Sequence, residues 1–215
     1  MLDEIYEPEQ LPETITDEYK VLSTLSYSAS KSVFLLEGKD DKKRCICKCR
    51  QSDKGMLLEA EYQYLMRLTE NPEGQNLSCF PKVYAYFQEE GREYLIREYM
   101  NGVTLSSYLE EHGPCSVKEA IDILIPVCET IKVLHQQNPP LIHRDIKPDN
   151  ILISEKNGKK SFHMIDLDTV REYKITSQRD TVFIGTVETA APEQFGYQQT
   201  SIRTDIYSLG VLLVF

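Results

Sequence analysis

The chain is predicted to be α+β: a small antiparallel sheet with one helix, followed by a mainly helical second half. Three observations predict this. Short β-prone runs fill residues 19–50 and 81–100, and polar turn clusters separate them. A helical stripe near residues 57–68 interrupts the runs, and beyond residue 101 the pattern becomes helical. No internal repeat or low-complexity tract is present.

Residues 1–16, rich in Pro, Glu and Thr without sustained periodicity, read as an extended arm. Strands follow at Tyr19–Leu25, Ser32–Gly38 and Arg44–Arg50. In the third, alternation puts Lys48 on one face with Ile46, while Cys45, Cys47 and Cys49 share the other. The C-x-C-x-C run has no second Cys or His pair at zinc-finger spacing, so these read as structural thiols. In the helix Leu57–Leu68, Glu61 falls on the apolar stripe of Leu58, Leu65 and Leu68, where a carboxylate requires a partner. Strands at Pro81–Gln88 and Arg92–Met100 meet at a turn centred on Glu90-Gly91, and Asn101-Gly102 ends the second. Helices are expected at Leu105–Glu111 and Val117–Gln137, the latter kinked or locally broken by Pro126. Short strands at Ile151–Ile153 and Phe162–Ile165 flank the turn Lys156–Lys159.

With 24 basic and 34 acidic residues the net charge is −10, which disfavours nucleic acid and anionic membrane surfaces as partners. An anionic ligand would need local Lys or Arg, or a bound divalent cation. The first residues lack the layout of a secretory signal, and no apolar run reaches the roughly 18 residues of a membrane span. The expected location is cytoplasmic.

The densest signal is His143-Arg144-Asp145-Ile146-Lys147-Pro148-Asp149-Asn150, followed by Asp166-Leu167-Asp168. Gly185-Thr186, Ala191-Pro192-Glu193 and Asp205–Gly210 come after it. Together these residues resemble the protein kinase catalytic domain, of the bacterial Ser/Thr type, over residues 17–215. The resemblance implies a two-lobe fold with an N-terminal extension at 1–16, an N-lobe at 17–100 and a partial C-lobe at 101–215. It implies ATP and Mg²⁺ as cofactors and a protein Ser or Thr hydroxyl as acceptor.

By the same resemblance, Asp145 orients the acceptor hydroxyl and takes its proton, and Lys147 lies near the γ-phosphate. Asn150 and Asp166 bind Mg²⁺, and Lys48 pairs with Glu61, with Glu59 as a rival partner off the stripe. Leu25, Val33, Ile46 and Leu152 would sandwich adenine, whose edge meets backbone at Glu98 and Met100. Thr186 would hydrogen-bond near Asp145 and Lys147, and Asp205 would accept backbone N–H groups of the catalytic loop.

Several positions depart from the family. The phosphate-covering stretch Ser26–Val33 has none of the expected glycines, and Ser26, Ser28 and Lys31 are expected to replace backbone contacts with hydroxyls and a charge. Ile46 stands where alanine is usual, and Arg97 occupies the gatekeeper position. Asp168 replaces a glycine, either recruiting a cation or repelling phosphate beside Asp166, or pointing harmlessly outward. Thr181 is a candidate phosphorylation site next to Val182. The apolar run Leu209–Phe215 stands where the family continues into further helices, so uncovered apolar surface and homo-oligomerisation are expected. Two alternatives to an active protein kinase stay open: a pseudokinase acting as a nucleotide- or protein-binding module, and a small-molecule kinase, which Lys147 and the Gly185–Glu193 segment disfavour.

Overall fold

The computed structural model describes residues 11–28, 30–52, 57–69, 78–174, 183–196 and 198–214. Thr181, Ala29 and most of the expected N-terminal arm lie outside the described residues. The chain divides into two compact units, one of residues up to Glu59 with Val83–Tyr99, the other of Ala60–Lys82 with the residues from Met100 on.

The first unit is built on a five-stranded antiparallel sheet. Its strands are β1 (Tyr19–Tyr27), β2 (Lys31–Gly38), β3 (Arg44–Gln51), β4 (Val83–Glu89) and β5 (Arg92–Glu98), in the order β1-β2-β3-β5-β4. Every strand meets its sequence neighbour except that β5 inserts between β3 and β4. The β4–β5 hairpin closes through Glu90 and Gly91, both at positive φ, a mirror-image turn that matches strand twist.

Period-two alternation decides what each face does. Cys45, Cys47 and Cys49 pack with Phe34, Leu36, Tyr94 and Ile96 in one core, as the thiol reading expects. Burial pushes the Cys45 and Cys49 thiols up to about 11 and Cys47 higher still, so all three are neutral at physiological pH. Lys48 and Ile46 face the other way. Register places Val33 and Leu95 opposite Lys48, and Leu35 and Arg97 opposite Ile46.

Two features of this unit differ from expectation. Residues 11–16 are not an extended arm, since Glu13–Thr16 forms a helical turn, α1, and Leu11 and Ile15 enter the thiol core. Ile15 is fully buried; one isoleucine in a polar stretch carries no periodicity, which is why the local pattern hid it. Leu25 falls in a β-bulge, between the pairs Thr24↔Phe34 and Ser26↔Val33, and remains half exposed.

Helix α2 (Leu57–Thr69) lies mostly in the second unit. Its predicted stripe is its buried stripe: Leu58, Glu61, Leu65 and Leu68 are all buried. Its first turn is capped from outside, because the buried carboxylate of Glu93 accepts the Leu58 N–H at 3.3 Å, which suits the positive end of the helix dipole.

The second unit holds a three-stranded sheet of β6 (Val103–Thr104), β8 (Ile151–Lys156) and β9 (Lys159–Met164), and a strand pair of β7 (Leu141–Ile142) with β10 (Arg171–Glu172). Its helices are α3 (Leu105–His112), α4 (Val117–His135) and α5 (Ile202–Val211). Thr104 and Ser116 cap α3 and α4 by accepting N–H bonds from Ser107 and Glu119. Ile123, Val127, Ile131 and Leu134 of α4 are buried, and α4 packs on β9 and α5. The expected break at Pro126 does not occur, since α4 is helical throughout. The carbonyl that loses its donor belongs to exposed Asp122, where water can take the bond.

The opposite side of α4 is open. Val117, Ile121 and Ile125, spaced four apart, are exposed, as are Leu213 and Val214 beyond α5. Among the described residues no helix is long and apolar enough to cross a membrane.

Candidate active site

The segment from His143 to Asn150 leaves β7 and enters β8 through a 3-10 turn at Pro148–Asn150. Its shape is fixed by a buried carboxylate. Asp205, at the start of α5 and fully buried, accepts the N–H groups of His143 and Arg144 at 2.9 Å each, and His135 Nε2 lies 2.8 Å away. Two backbone donors on one carboxylate hold the loop more rigidly than either alone, which is the bracing expected of Asp205. Arg144 adopts a left-handed φ of 68°, and its Nε donates to Thr169 O at 2.7 Å.

This loop presents Asp145. Thr186 Oγ1 donates to Asp145 Oδ1 at 2.7 Å and accepts from Lys147 Nζ at 2.8 Å, while Lys147 Nζ lies 3.2 Å from Asp145 Oδ2. Asn150 Nδ2 donates to Asp145 Oδ2 at 3.1 Å and to its carbonyl at 2.8 Å. Both carboxylate oxygens are thus oriented by donors, while Asp145 keeps part of its surface open to solvent. Since the Asn150 amide nitrogen is committed to Asp145, its carbonyl oxygen is the atom it can offer a cation.

Glycine is required at 185. Its φ is 124°, and a Cβ there would lie 2.7 Å from Arg144 O and 2.6 Å from Gln194 Nε2. Gln194 Nε2 donates to Arg144 O and to Ile184 O, so one buried amide joins the catalytic-type loop to the Gly185-Thr186 turn.

Asp166 follows β9, and Ile165 N–H donates to Asn150 O at 3.1 Å, which joins the two motifs through backbone. Carboxylate oxygens of Glu61, Asp166 and Asp168 lie within 4.8 Å of one another. Asp168 also donates its N–H to Asp166 Oδ1 at 3.1 Å. The outward-facing alternative for Asp168 is therefore corrected: the turn at Asp168 brings its carboxylate towards Asp166. Oxygen donors of this kind suit a hard divalent cation such as Mg²⁺ better than a soft one.

Residues 13–215 match the family model of the protein kinase domain. The chain belongs to the protein kinase family. Among its relatives are proteins named serine/threonine-protein kinase PknA of Nostoc sp., 29% identical across 95% of this chain and 38% of the relative, and PknB of Mycolicibacterium smegmatis, 27% identical across 94% and 32%. Serine/threonine-protein kinase D of Synechocystis sp. is 34% identical over 66% of this chain and 28% of its own length. The chain spans about a third of the length of these curated relatives.

Within the kinase domain, the second unit brings together Asp145, Lys147 and Asn150, and separately Asp166 with Glu61. Leu152 is buried in β8 opposite Thr104 and His163, and Met100 is half-buried at the start of the unit. In the first unit Lys48, Ile46 and Arg97 are buried, while Val33 and Glu98 are half-buried on β2 and β5. The rival Glu59 stays partly exposed, off the buried stripe.

The expectation for Ser28 needs correction. Its hydroxyl donates to Lys31 O at 3.0 Å and accepts the Lys31 N–H at 3.1 Å, closing the β1–β2 turn that glycines would otherwise close. A hydroxyl has one proton to give, and the turn uses it. Two residues of the kinase domain escaped sequence reasoning, Thr169, whose Oγ1 donates to His143 O at 2.7 Å, and Gln194.

Proposed function

We propose that the chain is an ATP- and Mg²⁺-dependent protein serine/threonine kinase that transfers the γ-phosphate to a Ser or Thr hydroxyl. The observation that carries this reading is Asp145, partly open and oriented on both oxygens by Thr186, Lys147 and Asn150. Phosphoryl transfer asks little covalent work of a protein and much positioning, so a carboxylate held by three neighbours suits it. Asp145 receives the acceptor's proton, and Lys147 offers its ammonium to the charge that develops on the transferred group. Asn150 and Asp166 would hold Mg²⁺ through their oxygens, and the cation would supply countercharge to the phosphates. Lys48 and Glu61 are assigned to the nucleotide phosphates. Leu25, Val33, Ile46 and Leu152 are assigned to the adenine faces, with the backbone at Glu98 and Met100 for its edge.

The test is transfer of label from γ-labelled ATP to a generic protein acceptor, with and without EDTA. Asp145→Ala should lose at least about a hundredfold in rate, within the usual range for a positioned proton acceptor, while still binding MgATP. Undiminished transfer by Asp145→Ala would remove the assignment. MgATP binding without transfer by the parent would leave a binding module.

A further inference from the structure

Next to Asp145 the second unit opens into a cavity of about 390 Å³. Lys147 and Thr186, the two groups that hold Asp145, form part of its wall. Leu109 adds apolar surface, and three carboxylates come from three separate segments: Glu110 on α3, Asp149 in the 3-10 turn and Glu188 just after Thr186. All three acids are exposed, and among the described residues none is in an ion pair with a Lys, Arg or His. Lys147 is the one cation in the wall among the described residues, and its ammonium is already shared by Asp145 and Thr186.

We propose that this groove receives the residues beside the acceptor and selects Ser/Thr segments that carry Lys or Arg next to the phosphorylated position. The inference rests on the proposed kinase reading. Three surface acids alone would be an ordinary solvated patch. Here they border a cavity whose wall includes Lys147 and Thr186, both bonded to the carboxylate proposed to orient the acceptor hydroxyl, so they meet the chain that carries that hydroxyl. An extended peptide advances about 3.3 Å per residue, which puts positions close to the acceptor inside the groove. An arginine there finds carboxylates without a competing internal partner and apolar wall for its methylene stem. A glutamate there meets like charge on several sides, so the same lining rejects acidic segments.

The test is equilibrium binding to the protein of three fluorescent peptides that share one serine and differ only in its neighbours, Arg, Ala or Glu. The arginine peptide should bind about tenfold tighter than the alanine peptide, and the glutamate peptide more weakly than either. The preference should shrink as salt is raised. In the triple variant Glu110→Gln, Asp149→Asn, Glu188→Gln, the arginine-to-alanine ratio should fall to within about twofold. Equal binding of the three peptides, undetectable binding of all three, tightest binding of the glutamate peptide, or a ratio unchanged in the triple variant each overturns the proposal. Transfer from MgATP to the same peptides reads the kinase assignment separately. Discrimination without transfer sinks that assignment and leaves the groove, whereas transfer without discrimination does the reverse.

Discussion

Asp145 is held by residue types that chemistry dictates, and its neighbour His143 shows what burial alone imposes. His143 is fully buried, and its Nδ1 accepts the Asp145 N–H at 3.3 Å, which requires the neutral ring. Burial holds its pKa below the ordinary 6.5, outweighing the carboxylates of Asp205, Asp145 and Asp166, which pull the other way. Above about pH 6.5 the ring is neutral whether folded or unfolded; below it the unfolded chain takes a proton that the folded protein refuses. Stability should therefore fall as pH drops from 6.5 towards the depressed folded value, seen as a declining urea midpoint. The same decline in His143→Asn would show that another group causes it. Asp145, Lys147, Asn150 and Asp166 could be picked out in the sequence because they stand in segments that resemble the family's motifs in residue type and spacing. Thr169 and Gln194 were not, because each donates to a main-chain carbonyl far along the chain, and a carbonyl accepts from any donor.

Helix α2 carries Glu61 near Asp166 and Asp168, where three carboxylates repel one another, and its far end is anchored by Arg67. Arg67 Nη1 meets Glu172 at 3.1 Å, and its Nη2 donates to Pro139 O at 3.1 Å. Glu172 is itself fixed by pairing with Leu141, just before His143, so the clamp ties α2 to the strands around the catalytic-type loop. The two side chains keep 30% and 28% of their surface exposed, so the pair is worth about 1 kcal/mol rather than several. Arg67→Glu should speed amide exchange along α2, and adding Glu172→Arg should restore protection. A double variant as poorly protected as the single one would mean that packing of Leu65 and Leu68, not the pair, fixes the helix. Alternation and helical spacing made the elements legible: the parity of β3 and the stripe of α2 follow from periods of two and 3.6. The helical turn at Glu13–Thr16 escaped because four residues hold too little pattern, and the continuity of α4 through Pro126 depends on solvent access at Asp122, which local sequence does not encode.

Across the molecule, the net charge of −10 would oppose close approach of copies, while the open apolar side of α4 with Leu213 and Val214 would favour it. Salt screens the first and spares the second. Light scattering should therefore show association that grows with protein concentration and with added salt, and a monodisperse monomer throughout would show that the apolar side is too small to pair. Of the apolar run that begins at Leu209, Leu213 and Val214 are exposed while Leu209 and Leu212 are buried, and the exposure on α4 emerged only once the buried and open sides of that helix could be told apart. The ladder of Cys45, Cys47 and Cys49 has a practical side for anyone handling the protein. Folded, these three sulfurs are shielded and protonated, so storage in air leaves them intact; dissolved in urea they become ionisable and free to cross-link, and for them a reducing agent matters during renaturation.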